Sequence, residues 1–233
     1  MKDFKILYKK VRYQGVIYWT YQSEKEIKDL LYILQRQMHR QYKNLSDKKL
    51  TVSSEPVDNE HGEIIVELDG KVLKKYLIMG IETIYLNMDD MIEYNEAAQD
   101  IFKEDGVYGK RGVTDSSTLD YTVSSVRDSF CFDLDTSPSI AHKAAKYWYR
   151  TAYYQAFSNG NKRTGLIAAL MFLYLNFYIF DNGQDKSDLY EKISIRIANG
   201  RCSEYDVYMF IIDNVSYDIE RTTKNFIMRG KSK

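Results

Sequence analysis

The first eighty residues alternate short apolar runs with polar turns, which is typical of a small α+β unit. Two runs rich in β-branched and aromatic residues, Phe4–Tyr8 and Val16–Thr20, are predicted to be strands around a turn near Gly15. A capping-box pattern then begins an amphipathic helix over Ser23–Tyr42.

The next polar segment, Asn44–Gly62, contains Pro56 and is predicted to be a loop. After it, Glu63–Leu68 and Val72–Ile78 flank Asp69-Gly70, a strong signal for a two-residue β-hairpin. These segments complete a predicted unit over residues 1–86.

From residue 87 onward, apolar positions recur at helical spacing, which predicts a helical domain over residues 87–233. One predicted helix is apolar on so many sides that we expect it in the middle of a bundle. The fold class is therefore α+β, a mainly α-helical bundle preceded by the small α+β unit. The predicted helices are Asn87–Lys103, a helix from Asp115 or Ser116 toward Phe130, a helix from Thr136-Ser-Pro-Ser139 to Ala156, Leu166–Tyr178, Lys186–Ile197 and Glu204–Val215, and the basic tail Arg221–Lys233 is expected to fray.

Composition narrows the class of protein. Lys and Arg together number 33, as do Asp and Glu, so no global basic field favours a nucleic-acid partner. Two cysteines, Cys131 and Cys202, permit one disulfide but not a disulfide-dense secreted scaffold. The longest apolar run, Leu166–Phe180, falls short of the roughly 18–20 residues that span a bilayer. We expect a cytoplasmic protein without membrane contact.

The chemistry of the chain is concentrated in Gln155–Gly165, where small, polar and basic residues lie between two long apolar runs. Gly160 permits unusual backbone angles, and the following helix would offer unpaired N–H groups at its positive end. Lys162 and Arg163 would add positive charge. A solvated basic pair is the simpler alternative, but the helix dipole disfavours cations there. The segment therefore predicts a phosphate site at a helix N-terminus.

The run Gln155–Thr164 resembles the signature of the Fic/Doc superfamily, specifically of its Doc-like (death-on-curing) branch. That branch typically has His-x-Phe-x-Asp-(Gly/Ala)-Asn-Lys-Arg-Thr between two buried helices. The order and spacing of the helices over roughly Asn87–Ser216 are similar as well. The resemblance implies a helical fold that binds ATP or a related nucleotide with Mg²⁺ and transfers a nucleotidyl or phosphoryl group to a protein hydroxyl.

The resemblance also implies a role for each matching residue. Phe157 would anchor the loop in the core. Gly160 and Asn161 would shape the anion hole, with Asn159 beside them in the phosphate site. Lys162 and Arg163, which complete the binding segment, would neutralise phosphate charge.

Two positions depart from the family pattern. Gln155 occupies the place of the family's general-base His, and glutamine is not a base near neutral pH, although it can orient a hydroxyl or water. Asn159 occupies the place of the acidic metal ligand, where an amide oxygen can coordinate Mg²⁺ without the preferred charge. His142 precedes the motif by too many residues to replace the base, and His39 and His61 lie outside the matched region.

Two main hypotheses follow. The first is a Doc-like transferase that binds a nucleotide and modifies a protein, with Gln155 as a weak positioning group and with a protein target or antitoxin-like partner, as in toxin–antitoxin systems. The second is a Fic-fold pseudoenzyme that acts as a binding or regulatory protein. A weaker third is a nucleic-acid regulator that uses residues 1–86. Fic-type folds also use a β-hairpin flap to hold a target segment, and the Asp69-Gly70 hairpin is either that flap or, as we favour, part of the N-terminal unit.

Overall fold

The computed structural model describes residues 4–45, 48–101, 112–181 and 187–231. Within these ranges the chain forms mostly helices together with several small sheets, which confirms the predicted α+β class. In chain order the elements are β1 (Ile6–Tyr8), β2 (Val11–Tyr13), β3 (Gly15–Trp19), α1 (Glu24–Gln41), β4 (Leu50–Pro56), β5 (His61–Leu68), β6 (Lys71–Gly80), α2 (Met88–Ile101), α3 (Ser116–Arg127), β7 (Phe130–Cys131), β8 (Leu134–Asp135), α4 (Ile140–Tyr154), α5 (Asn161–Leu175), β9 (Tyr178–Phe180), α6 (Ser187–Ala198), α7 (Glu204–Asn214), β10 (Val215–Tyr217) and α8 (Ile219–Lys231).

The described chain divides into two compact units. The first, here called the mixed unit, contains the described residues of Met1–Thr83, Phe177–Ile179 and Val215–Lys233. The second, here called the helical unit, contains those of Ile84–Asn176 and Phe180–Asn214. The chain thus re-enters the mixed unit at its C-terminal end. The domains proposed from the sequence, 1–86 and 87–233, stay a prediction.

The mixed unit is built on a four-stranded sheet with the order β3-β6-β5-β4. β3 runs parallel to β6, and the other two pairs are antiparallel. Asp69 and Gly70 connect β5 to β6 with φ angles of 51° and 75°, the positive pair that a tight two-residue hairpin requires. The predicted hairpin is confirmed, and it lies in the interior of this sheet.

Helix α1 is capped and amphipathic, as its sequence predicts. The Ser23 side chain accepts the Glu26 N–H at 2.9 Å, so the predicted N-cap is present. Four of its apolar side chains are buried, and Glu26, also buried, accepts a hydrogen bond from the Tyr178 hydroxyl at 2.7 Å. Those apolar side chains are Leu30, Ile33, Leu34 and Met38.

Two predictions in the mixed unit were wrong. The turn between the first two strands is Lys9-Lys10, whose φ angles are 46° and 67°, and Gly15 instead begins β3. At Gly15 the chain needs a small residue because a Cβ there would meet the Thr223 Oγ1 at 2.7 Å. The predicted loop before the hairpin contains β4, which ends at Pro56. An edge strand tolerates proline at a position whose backbone nitrogen points away from the sheet, because no hydrogen bond to the neighbouring strand is lost there.

The C-terminal tail is helix α8, so the expected fraying was also wrong. Its threonines bond the outer backbone edge of β3: Thr222 donates to the Val16 carbonyl at 2.6 Å, and Thr223 accepts the Val16 N–H at 2.9 Å. The Tyr217 hydroxyl accepts the Tyr18 N–H at 2.8 Å and donates to the Tyr18 carbonyl at 2.9 Å. All five residues are buried. These hydroxyls replace a neighbouring strand along β3.

The helical unit centres on α4 and α5, as their apolar sequences predict. Trp148 on α4 is fully buried and donates its indole N–H to Ser194 at 2.9 Å. Gly165 lets the two helices approach closely, because a Cβ there would lie 2.7 Å from the Trp148 carbonyl oxygen. Helix α3 stops at Arg127, short of the predicted Phe130, and the β7–β8 hairpin that follows was not predicted.

Candidate functional site

The segment between α4 and α5 begins with an abrupt change in chain direction. Helix α4 ends at Tyr154, and Gln155 follows in the left-handed region at φ 55° and ψ 52°. Glycine or asparagine usually fills such a position, and another residue pays roughly 1–2 kcal/mol. The Gln155 side chain is exposed. It therefore marks the end of α4 without being packed into the core.

Buried residues follow at once and connect the turn to the segment before α3. The carbonyl of Ala156 accepts the backbone N–H groups of Thr114 and Asp115 at 2.9 and 3.1 Å, and the Thr114 hydroxyl at 3.0 Å. Phe157 is 2% exposed and forms an isolated antiparallel bridge with Val113. The burial of Phe157 is consistent with the anchoring role that the resemblance implies.

A single amide closes the turn. Asn161 Oδ1 accepts the Phe157 N–H at 3.0 Å, and Asn161 Nδ2 donates to the Phe157 carbonyl at 2.7 Å. This reciprocal pair joins the first residue of α5 to the chain four residues earlier. Asn161 therefore shapes the turn through the backbone, and its side-chain amide faces the protein.

Helix α2 contributes a second set of amides, which the sequence analysis missed. Asn95 Nδ2 donates to the Asn159 carbonyl and to the Thr164 hydroxyl, both at 2.9 Å, while Gln99 donates to Asn95 Oδ1 at 2.7 Å. Asn95, Gln99 and Thr164 are buried. The sequence feature that could have indicated these residues is the pair of amide side chains four residues apart on a helix whose other inward positions are apolar.

Gly160 ends the turn and begins α5. Its φ is 77°, and within the described residues no side chain caps the helix. The Thr164 N–H and hydroxyl both donate to the Gly160 carbonyl, at 2.9 and 3.0 Å. The first turn of an α-helix has no intrahelical acceptors for its N–H groups. The start of α5 therefore presents N–H donors that no carbonyl within the helix accepts, with Lys162 exposed and Arg163 half-buried beside them.

The other predicted ligand group, Asn159, faces the turn itself. Asn159 Oδ1 accepts the Gly160 N–H at 2.7 Å, which uses both the amide oxygen and one backbone donor of the turn. Among the described residues, no group of three or more His, Cys, Asp and Glu could hold a metal ion. The turn thus brings Phe157 and residues 159–163 together without a carboxylate among them.

The three histidines lie elsewhere in the fold. His142, at the start of α4, bonds Ser139 at 2.8 Å and stacks on Tyr208 with ring centroids 3.6 Å apart. His39 and His61 belong to the mixed unit. The stacking of His142 accounts for it as a packing residue.

Two charged groups of the helical unit, Asp115 and Lys146, have shifted pKa values. Asp115 caps α3 as predicted, and hydrogen bonds from the Ser117 hydroxyl and from the Thr118 N–H and hydroxyl lower the pKa of Asp115 to about 2. Burial lowers the pKa of Lys146, which donates to Thr136 at 3.0 Å. Both charged groups thus have structural partners.

Two further expectations concern the whole chain. Cys131 is exposed and Cys202 buried, and both are free thiols. In the part of the chain that the structure describes, no helix combines the length and the apolar character needed to cross a membrane.

A comparison with models of protein families matches residues 85–173 to the Fic/DOC family. This range lies within the helical unit and contains α2, α3, α4, the turn and most of α5. A comparison with curated proteins finds no significant match. The similarity predicted for residues 174–216 stays a prediction.

Proposed function

We propose that residues 85–173, which match the model of the Fic/DOC family, bind the phosphates of ATP or a related nucleotide at the start of α5. The observation that supports this most directly is the N-terminus of α5, which follows Gly160, has no side-chain cap among the described residues and lies within the matched range. Phosphate oxygens would accept the open N–H groups and meet the positive end of the helix dipole. Lys162 and Arg163 would balance the remaining phosphate charge.

The turn that forms this site is held rigidly. Asn161 bonds both backbone groups of Phe157, and Asn95 holds the Asn159 carbonyl. A site whose donors are already oriented binds without paying to order them. Asn95 and Gln99 therefore belong to the proposed site as positioning residues.

The residues present do not fit a resident Mg²⁺. Asn159 carries no charge, and its oxygen accepts the Gly160 N–H, whereas Mg²⁺ prefers carboxylates. We therefore derive no step through a bound metal, and in our proposal any Mg²⁺ enters with the nucleotide.

Transfer to a protein hydroxyl needs a group that removes the hydroxyl proton, and Gln155 cannot accept it at neutral pH. Gln155 could hold the hydroxyl by a hydrogen bond, so we propose weak nucleotidyl or phosphoryl transfer. The second candidate is a pseudoenzyme that binds a nucleotide or a protein partner and regulates it. The bond that engages Asn159 within the turn favours this candidate.

Labelled nucleotides distinguish the two candidates. The protein is incubated with host lysate and Mg²⁺, with ATP labelled at the α-phosphate in one reaction and at the γ-phosphate in the other. Protein labelled from the α-phosphate would indicate nucleotidyl transfer, and protein labelled from the γ-phosphate would indicate phosphoryl transfer. Label in neither reaction, with ATP binding by calorimetry, supports the pseudoenzyme.

A pair of lysine substitutions tests the binding site itself. Lys162→Ala should weaken ATP binding by about tenfold, because one charge-assisted contact is worth about 1.5 kcal/mol. Lys192→Ala removes another exposed lysine, from α6, and should leave the affinity unchanged. Equal affinities for both variants, or no binding by the unmodified protein, would overturn the proposal.

Gln155→His tests what the site lacks. A histidine at this exposed position supplies a base that titrates near neutral pH. If Gln155→His transfers more label than the unmodified protein, the site of the unmodified protein lacks only the general base. No gain together with retained ATP binding would favour the regulatory alternative.

A further inference from the structure

The two edges of the sheet in the mixed unit differ. Along β3, the hydroxyls of α8 and Tyr217 bond the outward backbone groups of Val16 and Tyr18. β4 forms the other edge, and within the described residues its one strand partner is β5. Unpaired strand edges are templates for pairing with another chain.

The hydrogen bonds at the two ends of the β4–β5 pair show which backbone groups face outward. The Asp69 N–H donates to the Lys49 carbonyl, and the Val57 N–H donates to the His61 carbonyl, both at 2.9 Å. Hydrogen-bonded and non-hydrogen-bonded positions alternate in an antiparallel pair. Because the bonds at both ends involve odd-numbered residues, the backbone groups of the odd-numbered residues of β4 bond to β5. The backbone groups of the even-numbered residues therefore point away from the sheet: Leu50, Val52, Ser54 and Pro56.

This outward edge is accessible over most of its length. The residues from Ser53 to Pro56 are exposed, and Val52 is half-buried. Near its start, the Leu50 carbonyl already accepts the Gln35 amide at 2.7 Å. At its end, Pro56 has no N–H to offer. The edge thus has one acceptor already used and one donor missing.

We propose that β4 pairs with β4 of a second copy of this chain, antiparallel about a two-fold axis at Ser53. In this register Val52 bonds Ser54 of the second copy, and Leu50 is opposite Pro56. In this register the group opposite Pro56 is the Leu50 carbonyl of the second copy. Pro56 has no N–H to donate to it, and that carbonyl already accepts the Gln35 amide of its own chain. The Leu50 N–H meets the remaining Pro56 carbonyl. Every outward group is satisfied in this one register.

The charges agree with the same register. Glu55 is opposite Thr51 of the second copy and diagonal to its Lys49, on the same face of the sheet. Opposite charges at such cross-strand positions are favourable, whereas like charges directly opposite would destabilise the pair. Lys49 and Glu55 are both exposed in this structure, so both are available to the second copy. The two sheets would become one continuous sheet.

A cysteine at the axis tests the register. In this pairing Ser53 faces Ser53 of the second copy in a non-hydrogen-bonded pair, where Cβ atoms are about 4.5–5.5 Å apart. In a Cys131→Ser background, Ser53→Cys should form a disulfide-linked dimer on mild oxidation, seen by non-reducing electrophoresis. Ser54→Cys is the matched control: residue 54 is opposite Val52 of the second copy, so this variant should form no disulfide-linked dimer under the same oxidation.

Sedimentation velocity over a concentration series tests the dimer itself. The unmodified chain should reach twice the mass of one chain. Ser54→Pro removes an outward N–H without touching the β5 ladder, so its circular dichroism should be unchanged while its dimer constant weakens by at least tenfold. Glu55→Lys should weaken the dimer, and Lys49→Glu with Glu55→Lys should restore it.

Several results would overturn the proposal. One is a single-chain mass at every concentration without cross-linking of Ser53→Cys. Another is equal cross-linking at positions 53 and 54, because that would exclude this register. A dimer that Ser54→Pro leaves unchanged would place the interface elsewhere.

Discussion

The outer edge of β3 and the turn before α5 both use side chains to bond backbone groups, with opposite results. At the β3 edge, hydroxyls engage both backbone groups of Val16 and of Tyr18. At the turn, amides hold Phe157 and Asn159 in place but leave the first turn of α5 uncapped. The outward backbone groups of Val16 and Tyr18 thus have partners within the protein, whereas the first N–H groups of α5 have no side-chain cap.

Burial explains the difference. Val16 and Tyr18 are almost fully buried, so water cannot satisfy their backbone groups and the protein must supply partners. The start of α5 is half-buried to exposed, so water can occupy its N–H groups until a ligand displaces it. A closed edge stabilises the fold, whereas a rigid open helix start is suited to binding.

Removing the hydroxyls of α8 should cause the largest loss of stability. Thr222→Val with Thr223→Val keeps the side-chain shape but leaves the Val16 N–H and carbonyl without these partners in the core. Each unsatisfied buried group costs about 1–3 kcal/mol. The free energy of unfolding, measured by urea denaturation, should fall by about that amount for each group.

Thr51→Val is the control for this pair. The Thr51 hydroxyl is half-exposed and makes only a 3.4 Å contact with Glu67, so its loss should change stability little. If the double variant were as stable as Thr51→Val, the hydroxyls of α8 would not be responsible for closing the β3 edge.

Distance along the chain explains why the turn was predicted and the β3 edge was not. The signals of the turn lie within the eleven residues from Gln155 to Gly165, and each is a local preference for a backbone angle or a bond. The bond from the Val16 N–H to Thr223 joins residues 207 apart. No pattern in a single segment indicates such a pair, so the tail was expected to fray.

The same reasoning applies to other elements. Asp69-Gly70 and the Ser23 cap were predicted because their residue types favour these conformations. Lys9-Lys10 adopts the same kind of turn without a residue type that favours positive φ, so the sequence did not indicate it. Asn95 reaches the turn from 64 residues away, which explains why this part of the candidate site was missed.

A substitution at Gly165 tests the close packing of α4 against α5, the two helices that the turn connects. In Gly165→Ala the new Cβ would lie 2.7 Å from the Trp148 carbonyl oxygen, so α4 and α5 must separate. Such overpacking costs about 1–3 kcal/mol, measured by urea denaturation. Gly230→Ala in α8 is the control. It has no atom within 4 Å of the new Cβ, and alanine in a helix should stabilise it slightly.

Substitutions at Gly160 test the backbone conformation at the start of α5. Its φ of 77° disfavours an L-residue by about 1–2 kcal/mol, so Gly160→Ala should lower stability by that amount. Gly160→Asn should lose less, because asparagine tolerates this region. Equal losses in thermal or urea denaturation would show that contacts with Asn95, 3.1 Å from the new Cβ, matter more than the backbone angle.

The smallest effect concerns acid stability in the two units. In the mixed unit, the Lys9 side chain at 2.6 Å, the backbone N–H of Glu60 and the His61 side chain hold the pKa of Asp58 well below its ordinary value of 3.8. A carboxyl with a lowered folded-state pKa contributes stability above its unfolded pKa and loses it as the pH falls toward the folded value.

We therefore expect the urea midpoint to fall between about pH 5 and about pH 3, and Asp58→Asn should make that fall smaller. Asp115 of the helical unit, with a pKa of about 2 set first by the Ser117 hydroxyl, provides the comparison. Asp115→Asn should remove a smaller share of the acid-dependent loss, because hydrogen bonds from Ser117 and Thr118, and no cation among the described residues, lower the pKa of Asp115. If the two variants were equal, the ion pair with Lys9 would add nothing to the hydrogen bonds of Asp58. That result would fit the small net value of exposed ion pairs.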